Sequence, residues 1–456
     1  MSDKKDNNCP SDGAVTEDAV FGVISEDGPN YRNLGRMGTA ILMMKAQIGL
    51  GVLSIPEAFN ALGLVPGIVC LIVIAVVTTW SGYMVGAFKL NHREVYGVDD
   101  ATGLIFGPIG REVLGVGFSL FLIFSGASGI LSLSIALNAI SSHGACTAVF
   151  VAVAAIVVLG LASIQTLDRI GKLAWIGLGC MLTSIFIVTI AVGIQDRPEA
   201  APQTGPWSSD YKIVNSPSFA KGIAAICQLT FAFTGTPFFF PIVCEMRDPR
   251  HYTKALTICQ SVVTVTYIAI GVVVYYYCGS YVSSPALGSA GHLIKQIAYG
   301  IALPALFVTS TISTHMASKY FFIRIMRGSR HLAANTPVHW LTWLSCVGAV
   351  IAVAYIIASA MPIFGSLISL VGALLGTLQV FQPAGFMWLY DNWSRGSAGR
   401  GQQSLKWMFM VGFSVFMVVL GTFLMVAGTY GAVVGIIDGL KADGADGAWS
   451  CADNSS

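Results

Sequence analysis

Eleven apolar runs, each near the length of a membrane-crossing helix, dominate this chain. They lie near 39–63, 65–88, 113–140, 146–163, 173–194, 218–241, 252–278, 294–325, 338–361, 363–390 and 406–436. A bilayer's hydrocarbon core is about 30 Å thick, so a helix needs roughly 20 mostly apolar residues to cross it. Inside lipid every backbone N–H and C=O must be paired within the protein, which leaves helices or closed barrels. Runs this long point to helices. Composition agrees: charged residues are 11% of the chain, against about a quarter in soluble proteins. That leaves too little polar surface to cover a globule in water. The 50 glycines suit close helix packing in lipid. The fold class expected is an all-α polytopic membrane protein with eleven transmembrane helices.

Orientation follows from Lys and Arg, which concentrate on the cytoplasmic side. With the N-terminus inside, the outer segments hold only Arg197, Lys212, Lys221, Lys295 and Lys441, and Lys45 falls within a span. The N-terminus is therefore expected in the cytoplasm and the C-terminus outside. Residues 1–38 form a polar N-terminal tail, 39–436 the membrane domain and 437–456 an extracellular tail. The N-terminal residues lack an apolar core followed by a small-residue cleavage site, so the first span itself directs insertion.

Several function classes are excluded. No basic run interleaved with aromatics supports nucleic-acid binding. The ten cysteines show no metal-ligand spacing, and neither a metal nor a cofactor is expected. HExxH, GxxxxGK[ST] and GxSxG are absent, and SxxK at Ser209–Lys212 lacks its companion motifs, so no enzyme signature remains. Cys146 and Cys278 both fall at the outer surface, where an oxidising exterior permits a bridge, but sequence does not fix connectivity. Asn454-Ser455-Ser456 fits the glycosylation pattern at the outer terminus.

Two spans are interrupted. The first contains Gly49-Leu50-Gly51 and then Pro56; the sixth contains Thr234-Gly235-Thr236-Pro237. Gly and Pro in a helix interior cost about 1 and 3 kcal/mol relative to Ala. The breaks are five spans apart, an odd number, so the two helices enter from opposite faces. An inverted five-plus-five repeat, 39–194 and 218–390 with an eleventh helix at 406–436, has this form. Ordinary kinks in packed helices would give the same spacing.

An unwound segment exposes amides at one helix end and carbonyls at the other. A zwitterionic amino acid needs both: its carboxylate on the amides of Gly49, Leu50 and Gly51, its ammonium on carbonyls of Phe233, Thr234 and Gly235. Phe231, Phe233 and Phe238 either shape an apolar pocket or simply pack. Charges inside spans are expensive and each invites a role. Lys45 is either a fixed cation near the site or a side chain that snorkels to the interface. His315, beside Thr311 and Thr314 in the eighth span, is either a proton carrier or a core histidine. Glu57 belongs to an outer gate or is solvated, and Glu245 and Arg247 to an inner gate or a solvated face.

KAQIGLGVLSIPEAF (Lys45–Phe59) resembles the first-helix motif of the amino acid/auxin permease family. LTFAFTGTPFFF (Leu229–Phe240) and PIVCEMRDPRHYTKAL (Pro241–Leu256) are similar to its broken sixth helix and the segment closing it. The likeness runs from Gly38 to Tyr430 and is nearest the fungal neutral amino-acid permease branch. It implies the leucine-transporter type of five-plus-five repeat with one added helix, and symport of amino acids, often driven by protons. By position it implies substrate binding at Gly49, Leu50, Gly51, Phe233, Thr234 and Gly235. It sets Thr311 and Thr314 near the place where sodium-coupled members hold their ion. Lys45 is similar to the lysine of proton-coupled members, which favours protons over sodium. A plasma-membrane location is expected. The alternatives are an organellar exporter of the same fold and a receptor that binds amino acids without moving them.

Overall fold

The computed structural model describes residues 17–18, 22–23, 34–164, 167–326, 336–361, 363–397, 405–442, 449 and 451–455. Most of the N-terminal tail and the last residue of the Asn454 sequon lie outside the described residues. Apart from a two-residue pairing of Glu17–Asp18 with Gly22–Val23, the described elements are helical. They are α1 Arg36–Gln47, α2 Ile55–Leu62, α3 Leu64–Asn91, α4 Val98–Ser141, α5 Thr147–Ala162, α6 Leu167–Ile194 and α7 Phe219–Ala232. Then follow α8 Thr236–Cys244, α9 Tyr252–Cys278, α10 His292–Met326, α11 Pro337–Ala360, α12 Phe364–Leu370, α13 Thr377–Ser397 and α14 Leu405–Ala442.

Among the described residues nine spans are long and apolar enough to cross a membrane, and ten when the bent pair α1–α2 counts as one. The expected count of eleven is not reached on that measure. The shortfall is α5, whose 16 residues would rise only about 24 Å. The third expected span also begins earlier than the sequence suggested. Its helix starts at Val98 and breaks at Gly107, where φ is +71° and Pro108 follows. Only glycine takes that backbone without strain, so Val98–Phe106 forms a separate arm before the span proper.

Burial ranks the helices. In the most apolar stretches of α4 and of Phe219–Cys244, 83% of residues are buried, against 22% in α14. The first two therefore run through the centre, and α14 lies at the rim. Its Phe409, Val419, Phe423 and Val426 are exposed, as a lipid-facing side requires. Between α12 and α13 the chain makes a π-helical turn, Val371–Gly376. There Gly372 presses on the Cys227 carbonyl, and Gly376 stands behind the Thr234 side chain. Turns of this kind often mark functional positions in helices, and this one backs the interruption in the sixth span.

Candidate functional site

Both interruptions are present, and they differ in kind. α1 ends at Gln47, Ile48 leaves the helical region, and the Gly49 amide turns back to the Gln47 carbonyl at 2.9 Å. A 3-10 turn, Gly51–Ser54, then leads into α2, and the two halves are bent by 47°. α7 ends at Ala232. Phe233, Thr234 and Gly235 form a local turn, and α8 resumes with Pro237 in its first turn, where a missing N–H does no harm. Here the course remains one 26-residue span.

The breaks touch each other. A methyl group on Gly51 would stand 3.0 Å from the Ala232 Cβ, and nearer still to its Cα. One on Gly235 would stand 2.5 Å from the Gln47 Cγ. These two glycines thus exist because the interrupted helices cross in contact. Gly49 differs: a methyl there would meet Thr309 Cγ2 at 3.5 Å, an ordinary contact.

Two residues that the sequence reading did not single out, Tyr267 and Gln47, organise the crossing. The buried Tyr267 hydroxyl of α9 lies 2.9 Å from both the Gln47 and the Ala232 carbonyl oxygens. Those carbonyls are the C-terminal ends of α1 and α7, which a helix leaves without intrahelical donors. One hydroxyl proton therefore ties the negative ends of both half-helices together. Gln47 is 4% exposed, yet neither end of its amide has a partner, and the Thr236 hydroxyl is likewise buried and unpartnered. Buried polar atoms are nearly always satisfied, so unpaired groups at both breaks stand out. Gln47 was legible as a lone amide in an apolar run, and Tyr267 as a phenol in an aliphatic one. Beside the sixth-span break, Phe121 of α4 stands 6.1 Å from Phe231 and 6.3 Å from Phe238, ring centre to ring centre.

Lys45 is buried, and its ammonium donates to the Thr309 hydroxyl of α10 at 2.7 Å, with Gly177 of α6 against its stem. It bridges α1, α6 and α10 beside Gly49. The α10 hydroxyl that reaches this point is thus Thr309. The Thr311 and Thr314 hydroxyls are buried without partners, and Thr314 faces Gly126 of α4. His315 lies elsewhere, six residues past Thr309, which is about 9 Å further along the helix. Its Nδ1 is 3.2 Å from the Ala162 carbonyl, and its ring packs edge-on against Trp343, whose indole donates to the Ser163 carbonyl. Together they cap the C-terminal end of α5.

The gate candidates sit at the two ends. Glu57 accepts hydrogen bonds from Ser284 at 2.5 Å and Gln228 at 3.3 Å, and abuts Gly365. At the opposite end, Glu245 and Arg247 engage through their backbones. The Leu34 amide donates to the Glu245 carbonyl, and the Arg247 amide to the Leu34 carbonyl, at 3.2 and 3.0 Å. This bridge clasps the entry to α1 against the end of α8. Burial raises the Glu245 carboxyl above its ordinary pKa, and the charge of Lys319 partly opposes the rise. The cysteine pairing is a correction: Cys146 is bridged to Cys451, while Cys278 is free and buried. A partner 305 residues away is chosen by tertiary structure, not by proximity in sequence. Among the described residues no three His, Cys, Asp or Glu gather to hold a metal ion.

Comparisons with known proteins bear on this geometry. The sequence profile described as "Transmembrane amino acid transporter protein" matches residues 33–434. A "Transmembrane transporter" of Fusarium pseudograminearum is 35% identical over 391 residues, 86% of this chain and 82% of that protein. The "N amino acid transport system protein" of Neurospora crassa is 32% identical over 352 residues, 76% of this chain and 74% of its own. A solved Na+-coupled sialic acid symporter, in a substrate-bound outward-open state, shares the fold. Its TM-score is 0.54 at 14% identity, over 89% of this chain and 92% of that one. The leucine-transporter type of fold expected from the sequence agrees with that likeness.

Proposed function

Because this chain belongs to the family of transmembrane amino acid transporter proteins, we propose that it carries neutral amino acids by proton-coupled symport. The juxtaposed breaks at Gly49–Gly51 and Phe233–Gly235 are the binding site in this reading. The observation that carries it is the pair of buried, unpartnered side chains, Gln47 and Thr236, one at each break. The carbonyls of the Phe233–Gly235 turn, at the C-terminal end of α7, suit an ammonium, and the amides at the helix start after Leu50 suit a carboxylate. Phe121, Phe231 and Phe238 supply an apolar wall for the substrate's side chain. No acidic side chain lies within a turn of either break, so uncharged side chains are preferred.

Since Gly51 and Gly235 are closed against the opposing helix, substrate entry requires the two half-helices to part. Rocking of repeat 39–194 against 218–390 would do this. Lys45 supports protons as the coupling ion: its ammonium already supplies a cation beside the break, and a buried amine gains and loses its proton readily when its surroundings change. We assign the N-terminus to the cytoplasm, the C-terminus to the exterior and the protein to the plasma membrane. The Cys146–Cys451 bridge supports this, because disulfides persist in oxidising compartments.

Radiolabelled uptake into liposomes tests the proposal. Neutral amino acids should accumulate under an inward proton gradient, acidify the lumen and do so without sodium. Strict sodium dependence refutes the coupling, and binding without accumulation makes the protein a receptor.

A further inference from the structure

Beyond Glu57, at the end assigned to the exterior, lies a cavity of about 340 Å3. The bundle contributes Glu57, Ser284 and Ser359 to its lining, and the C-terminal tail contributes Trp449, Asp453 and Asn454. Glu57 is six residues past Gly51, about 9 Å at helical rise, so the cavity stands between the first break and the outside.

The tail is fastened across this end at several points. Cys451 is bonded to Cys146 at the start of α5, and the Ala452 carbonyl accepts from the Thr147 hydroxyl. The Asn454 amide donates to Ser134 at 3.2 Å and accepts from Asn138 at 2.7 Å. Ser134 is seven residues inside the end of α4, about 10 Å, so Asn454 is inserted between helices and not laid on the surface. With both ends of its amide engaged, it is also a poor glycan acceptor. The Trp449 amide donates to the Ser359 carbonyl at 3.1 Å, and Ser455 is 6% exposed beside the α9–α10 loop. The Ser359 hydroxyl is buried, unpartnered and part of the cavity lining.

We infer that Trp449 and residues 451–455 form a disulfide-anchored strap that closes the outer chamber, and that the strap must loosen before a solute can pass Glu57 towards the broken helices. This rests on the transport reading for the direction of passage, but the closure itself does not. Among the described residues the charged groups lining the chamber are Glu57 and, from the strap, Asp453. Such a chamber favours the ammonium end of an entering solute.

The test is labelling of Ser359→Cys by a membrane-impermeant maleimide in intact cells, with the parent protein as blank. Three proteins are compared: bridge intact, Cys146→Ser/Cys451→Ser, and Asn454→Ala with the bridge kept. Labelling should quicken at least about fivefold in Asn454→Ala, the factor expected for one net hydrogen bond of the two it loses, and at least about tenfold without the bridge. Equal rates in all three overturn the strap. If the unbridged protein fails to reach the surface, Asn454→Ala decides alone. Uptake measured in parallel separates the two claims. Faster labelling without uptake in any protein keeps the strap and removes transport, whereas normal uptake with unchanged labelling does the reverse.

Discussion

Gly51→Ala adds one methyl group at the crossing of the first and sixth spans. The new Cβ would stand 3.0 Å from the Cβ and backbone nitrogen of Ala232, and closer to its Cα. Carbon atoms rest at about 3.5–4.0 Å, so the half-helices must separate by the better part of an ångström. No flexible side-chain tip can yield, because the obstacle is backbone. Overpacking of this kind costs about 1–3 kcal/mol, and about 1.4 kcal/mol is a factor of ten. Displacement at the crossing would also pull Gln47 and Ala232 away from the Tyr267 hydroxyl. We expect initial uptake to fall at least about tenfold at equal surface expression, with a lower melting temperature in detergent. Gly49→Ala is the packing control, since its methyl would meet the Thr309 side chain at ordinary distances; its melting temperature should stay near that of the wild type. Wild-type uptake and melting in Gly51→Ala, or the reverse order of the two variants, would refute the contact argument.

Tyr267→Phe removes a donor from two buried carbonyls, leaving Gln47 its Gly49 amide and Ala232 none, and should destabilise the protein by about 1–3 kcal/mol; an unchanged melting temperature would mean that the tie carries nothing. Lys45→Met should flatten the pH dependence of uptake, and a profile like the wild type would remove Lys45 from the coupling step. Glu245 lies outside the spans, near Lys319 and Tyr96, with its carboxyl raised by burial. A raised carboxyl stabilises the clasp below its unfolded pKa and loses that contribution as pH climbs through the folded value. At neutral pH Glu245→Gln should therefore protect the Leu34 amide better against hydrogen exchange. Weaker protection would show that attraction to Lys319 outweighs burial.

The sequence revealed the two breaks because glycine and proline stand out against apolar neighbours, and it revealed the class because charge is so scarce. Features that depend on helical phase and distant partners were not legible in it. Thr309, Thr311 and Thr314 look equivalent along the chain, yet successive residues turn by about 100°, and only Thr309 meets Lys45. Gly51 reads as room for a ligand, whereas its lack of a side chain admits Ala232. For His315 the sequence leaves proton carrier and core histidine open; its ring packs on Trp343 at the end of α5. Cys451 gave no local signal at all, since its partner is fixed by how the tail returns over the bundle.

A density map of the protein in lipid nanodiscs with a saturating neutral amino acid tests the site most directly. The account predicts a solute lodged where Gly51 now meets Ala232, its carboxylate about 3 Å from the Leu50–Gly51 amides and its ammonium at carbonyls of the Phe233–Gly235 turn. A solute held only beside Glu57, with the crossing still shut, would contradict it.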